Sequence, residues 1–170
     1  VAHYPEANRA AFKRDVNSYV AKLVEREVSS YPGGGLWARR YSTEYIPDNA
    51  SIEEYFFYVV LQPVKDGLVE RISDYPGYNC FRDAICGTRR KFKVVNWRAY
   101  HERKRWNPQV SIRDFTQECV LEYARLPGYE SLSQSEYKKV MLEKLEARRQ
   151  ALLKKRAAEG KGFAGREALL

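Results

Sequence analysis

Two tyrosines and a glutamine stand at helical intervals in the stretch YFFYVVLQPVKDGLVER, residues 55–71. Tyr58 and Gln62 are four apart, so on a helix they leave the same face about one turn apart, and Tyr55 shares that face. A tyrosine phenol can attack a phosphodiester and form a covalent phosphotyrosine. Its pKa of about 10 lies far below that of a sugar hydroxyl, so it also leaves readily, and such a step can rejoin strands without ATP. A divalent ion would polarise the phosphoryl oxygen, and a glutamine carbonyl is a hard oxygen donor suited to Mg2+ or Mn2+. Tyr and Gln alone do not fix a metal. The same spacing also suits a tyrosine that simply packs in a core.

The elements that must position these groups are readable nearby. Ser51 and Glu54 form an S-x-x-E capping box, which predicts a helix start at Ser51. Pro63 lacks an amide and clashes with the preceding turn, so the helix should end or kink near Gln62. Upstream, Phe12, Val16, Tyr19, Val20, Leu23 and Val24 share a face of a helix expected from Pro5 to about Ser30, ended by YPGGG. LWARRYSTEYI, 36–46, alternates and reads as a strand with Trp37, Arg39, Tyr41 and Tyr45 on one side. That side could stack on bases or lie on a core. ISDYPGYNCFRDAIC gives a Pro-Gly turn and a short helix ending by Gly87.

Beyond Gly87 the texture changes. TRRKFKVVNWRAYHERKRWNP, 88–108, is dense in cations with aromatics between them. A short strand is expected near Phe92–Trp97, then helices at about Ser111–Arg125 and Ser133–Glu159. The last opens with a second capping box, Ser133 and Glu136, and carries the stripe Tyr137, Met141, Leu145 and Leu152. Arg89, Arg90, Lys91, Lys93, Arg98, Arg103, Lys104 and Arg105, with Trp97, Tyr100 and Trp106, form either a phosphate-and-stacking surface or a solvated basic face. The run Arg148–Arg156 grips phosphate or solubilises a surface helix.

Composition bounds the classes. The 170 residues carry a formal net charge of +8 and a pI near 9.4, which attracts polyanions, nucleic acid above all. Aromatics at 14% and apolar residues at 44% exclude a disordered chain. Cys80, Cys86 and Cys119 make no metal spacing and suggest reduced thiols in a cytoplasm, near the nucleoid for a DNA partner. No apolar run approaches a membrane span.

YVVLQPVKDGLVER, from Tyr58, resembles the hallmark of the REP-associated, single-tyrosine HUH transposases, roughly Tyr-x-x-x-Asn-Pro-Val-x-x-Gly-Leu-Val. SDYPGYN resembles the acidic-Tyr-Pro segment that follows there. GLWARRYSTEYIPD resembles the family's Gly-x-x-aromatic-x-x-Arg-Tyr strand, and PEANRAAFKRDVNSYVA the helix before it. The likeness runs over about residues 1–87. It implies an α+β fold: an antiparallel sheet flanked by helices, here followed by a mainly helical basic extension, 88–170. It implies a transposase that cuts single-stranded DNA beside a hairpin, as monomer or dimer, with Tyr58 as nucleophile joined to the 5′ phosphate. Gln62 takes the metal-assisting position. In this reading Arg39, Arg40 and Tyr41 either lie near the DNA or support the strand. The family holds its divalent metal, Mg2+ or Mn2+, with a His-x-His pair that this sequence lacks; His3 and His101 are elsewhere. The expectation is a fragment that begins just after that motif, or a degenerate copy that binds nucleic acid without cutting it.

Overall fold

The computed structural model describes residues 8–39, 46 and 48–170. The chain divides into two compact units, residues 1–47 and 48–170. In the first, α1 (Arg9–Glu27) has Phe12, Val16, Tyr19 and Leu23 exposed and Val20 and Val24 half-buried. The indole of Trp37 donates to the Asn17 carbonyl at 2.9 Å, tying the following segment to the helix. Residues 36–39 bend rather than form the expected strand, and 40–45, with Arg40, Tyr41 and Tyr45, lie outside the described residues.

The second unit begins with α2 (Asn49–Val60). Its cap is Asp48 and not Ser51. The Asp48 carboxylate accepts from the Ser51 amide at 2.8 Å and from the Ser51 hydroxyl at 2.9 Å, so the helix starts a turn earlier than the S-x-x-E pattern implies. Aspartate caps as well as serine, and Asp48 stands three residues before Ser51. Those same bonds hold the Asp48 carboxyl below its ordinary pKa. Pro63 acts as expected: α2 stops at Val60, Leu61 turns, and α3 (Gln62–Lys65) starts with the proline in its first turn, where a missing amide is harmless. A 3-10 turn (Ile72–Asp74) and α4 (Phe81–Cys86) follow, and Gly87 closes α4 in the left-handed conformation at φ 62°.

The strand expected near Phe92–Trp97 is β1 (Arg90–Val95), which pairs antiparallel with β2 (Thr116–Leu121), Arg90 opposite Leu121 and Val95 opposite Thr116. The helix expected at 111–125 is therefore replaced. Ser111 caps only a 3-10 turn (Ile112–Phe115), and the residues after it join a ladder whose partner is more than twenty positions upstream. Such pairing overrides local helix preference. Between the strands lies α5 (Trp97–Trp106), capped by Asn96, whose side chain accepts from the Ala99 amide.

The long α6 (Gln134–Ala158) opens with the Ser133–Glu136 capping box as expected. It packs on α3 and α4 and buries Tyr137, Met141, Leu145 and Arg149. The core gathers Phe57, Val60, Leu61, Val64, Phe81, Ile85 and Leu126 around that stripe. The coarse class is thus α+β, with helices and a two-stranded antiparallel sheet among the described residues. Among those residues no helix is long and apolar enough to cross a membrane. The three cysteines are free.

Candidate functional site

The phase of α2 decides how Tyr58 is presented. Phe57 and Val60 turn into the core at 1% exposure each, which leaves Tyr58 facing out at 50%. It is not a core tyrosine. Among the described residues its hydroxyl makes no hydrogen bond. Lys65, on α3, folds back so that Nζ sits 4.3 Å from the Tyr58 ring centroid.

Tyr58 lines one wall of a groove of about 380 Å³ between α2, α3 and α6. The floor is apolar: Phe57, Leu61, Ala151 and Leu152. The rim is charged: Lys65, Lys155, Arg148 and Glu54. Arg148 lies over the Phe57 ring at 4.3 Å, bonds Glu54 and reaches Glu53 at 3.3 Å. Lys65 and Lys155 have no carboxylate partner among the described residues. The groove therefore carries net positive charge beside an accessible phenol, over a floor poor in competing polar groups. Such a place favours an anionic group beside the phenol.

Gln62 is arranged differently. Its amide nitrogen donates to Asp66 at 2.8 Å, and its Oε1 is enclosed without a partner. The helix break turns it away from the groove lining, which passes from Tyr58 through Leu61 to Lys65. Among the described residues no three His, Cys, Asp or Glu side chains gather as a metal site. One enclosed neutral oxygen does not make a divalent-ion site, so the residues described here do not fit the metal that the resemblance implies. His101 is stacked on Trp97, 5.8 Å between centroids at 24°. His3 lies outside the described residues.

The basic segment separates into paired and free charge. Arg89 pairs with Glu122 at 2.7 Å and Lys91 with Glu118 at 2.9 Å. Arg90 clasps the buried Asp83 through Nε at 2.5 Å and a second nitrogen at 3.1 Å, and Tyr78 donates to the same carboxylate at 2.8 Å. Those bonds, Arg90 first, hold Asp83 below its ordinary pKa against the opposing effect of burial. Lys104 donates to the Tyr100 hydroxyl at 2.8 Å. Lys93, Arg98, Arg103 and Arg105 are exposed and pair with no carboxylate among the described residues. Arg39 is exposed in the first unit.

Lys65, Arg148 and Lys155 were not singled out by the motif. One signal was present: Arg148, Ala151, Leu152 and Lys155 fall at i, i+3, i+4 and i+7, one face of a helix. Nothing in that spacing says which residues it will meet. No protein-family profile, curated protein or solved structure matches this chain.

Proposed function

We propose that Tyr58 is the nucleophile of a DNA strand-transfer reaction, in a protein of the REP-associated, single-tyrosine transposase kind. The observation that carries this reading is the exposed Tyr58 phenol on a groove rimmed by Lys65, Arg148 and Lys155. Single-stranded DNA beside a hairpin is the substrate. The phenol oxygen bonds to phosphorus and the P–O3′ bond breaks. The phenolic proton ends on the departing 3′ oxygen, and the 5′ phosphate stays on Tyr58. Reversal by another 3′ hydroxyl rejoins the strand. The cations offset charge on the phosphoryl oxygens. No step here is assigned to a divalent ion.

The test mixes the chain with a hairpin-flanked single strand bearing bridging 3′-phosphorothiolate linkages, whose sulfur leaves without metal assistance. A covalent adduct that maps to Tyr58 and vanishes in Tyr58→Phe is the expected result. An adduct that survives Tyr58→Phe ends the assignment.

The second reading is nucleic-acid binding without cleavage. It is favoured by Gln62, whose amide is tied to Asp66 off the groove. It predicts unchanged DNA affinity in Tyr58→Phe and no adduct in either protein.

A further inference from the structure

The helix α5 exposes what a folded chain usually hides. Trp106 is 85% exposed and Trp97 52%, on one ten-residue helix that also carries three guanidiniums without carboxylate partners among the described residues. Trp97, half exposed beside these cations, invites a reason beyond solubility.

The geometry supplies one. Trp97, His101 and Arg105 are spaced by four and form a single row along the helix. The first two are already stacked, 5.8 Å between centroids and 24° between planes. Tyr100, 6% exposed, backs both: it meets Trp97 edge-on at 6.0 Å and His101 at 5.3 Å, and rests on Phe115 at 6.0 Å. Its hydroxyl is held by Lys104. The flat row is thus fixed from behind, so little side-chain entropy is lost when something stacks on it. Arg105 ends the row, and Arg98, three positions before His101, flanks it; both bring charge.

We infer that the Trp97–His101–Arg105 row of α5 is a stacking platform for single-stranded nucleic acid, with Arg98 taking a backbone phosphate. Flat unpaired bases, each with a nearby negative charge, match alternating rings and guanidiniums. A duplex hides its base faces and cannot use the row. A membrane surface fits less well. Trp97 and Trp106 are nine positions apart and point to opposite sides of the helix, at about 100° per residue, so there is no single apolar face to lay on lipid. The inference does not depend on attack by Tyr58.

The test uses the full chain and a fluorescein-labelled oligothymidylate of about 15 nucleotides, the upper end of single-strand site sizes. Anisotropy gives affinity, and tryptophan fluorescence reports stacking. Trp97→Ala is expected to weaken binding roughly tenfold, Trp97→Tyr to restore most of it, and Trp106→Ala to leave it unchanged. Arg98→Ala should lower the slope of log affinity against log salt by about 0.7. Should Trp97→Ala lose its fold, Arg105→Gln, at the exposed end of the row, carries the same decision. Equal loss in Trp97→Ala and Trp106→Ala would overturn the proposal. So would equal affinity for a blunt duplex, or tryptophan quenching by anionic phosphatidylglycerol vesicles but not by the oligonucleotide.

Discussion

Gly67 is the position where one methyl group should do the most harm to the site's frame. It sits at φ +77°, in the turn after α3. A Cβ built there would lie 2.0 Å from one terminal nitrogen of Arg156 and 2.5 Å from its Cζ. That guanidinium donates to the Lys65 carbonyl at 3.0 Å and to the Gly162 carbonyl, and lies over the Phe163 ring at 4.8 Å. The tail it steadies returns to the same turn, where the Ala164 amide donates to Gly67 and the Gly165 amide to Leu68. Gly67→Ala therefore carries two costs. The left-handed conformation costs an L-residue about 1–2 kcal/mol. Displacing Arg156 loses two hydrogen bonds at about 0.5–1.5 kcal/mol each. The sum, roughly 2–5 kcal/mol, should lower the Tm by roughly 5–15 °C. In an Arg156→Ala background the collision is gone, and Gly67→Ala should cost only the conformational part, about 1–2 kcal/mol. Thermal unfolding of the four proteins in this cycle measures the difference. Equal losses in both backgrounds, or a Gly67→Ala protein that melts with the parent, would refute the reasoning.

The remaining expectations are quickly stated. Tyr58→Phe removes a hydroxyl that bonds nothing described, so stability should change by less than about 0.5 kcal/mol while any adduct disappears; a large drop in Tm would mean the hydroxyl is structural. Met141→Ala, at a site with 0% exposure, should cost about 2–5 kcal/mol, read from denaturant unfolding. Burial pushes the Glu53 carboxyl up, but hydrogen bonds from Lys144 and Tyr129 and attraction to Lys144 and Arg148 outweigh it, leaving the pKa below its ordinary value. A lowered carboxyl stabilises the fold above the unfolded value, about 4.3, and that contribution is lost as pH falls through the folded one. Glu53→Gln should therefore melt below the parent at pH 7, and the gap should close in acid below about pH 4. A gap that stays constant with pH would discard the pairing as its cause.

The last helix was legible because its signals are local: a capping box at Ser133 and Glu136, then apolar residues every four. The end of α2 was legible because Pro63 has no amide to give. The cap at Asp48 was missed because two good caps stood three residues apart and only the structure shows which carboxylate met which amide. Residues 116–121 were misread because Ile112, Phe115, Cys119 and Val120 also fit a helical face, and the strand that claims them is distant in sequence. Tyr58 was legible as a residue, but its groove was not. The opposite wall comes from Arg148 to Lys155, some ninety positions later. That basic run, uniform as text, divides in space: Arg148 pairs with Glu53 and Glu54, Arg149 is buried, Lys155 rims the groove, and Arg156 holds the tail.

Arg149 has a consequence for alignment. It follows Tyr137, Met141 and Leu145 in the buried row of α6, a place where another leucine would pack more cheaply. Instead its guanidinium grips Glu146 at 2.7 Å, holding that carboxyl down at about 2, and reaches the Glu70 carbonyl at 3.3 Å. An all-apolar row could slide by one turn and still bury similar area. With Arg149 in it, a slide of about 5.4 Å would carry Glu146 along but pull the buried guanidinium off the Glu70 carbonyl and its carboxylate, 3.8 Å away. The arginine works as a key that admits one setting of the helix, and that setting holds Arg148 and Lys155 opposite Tyr58.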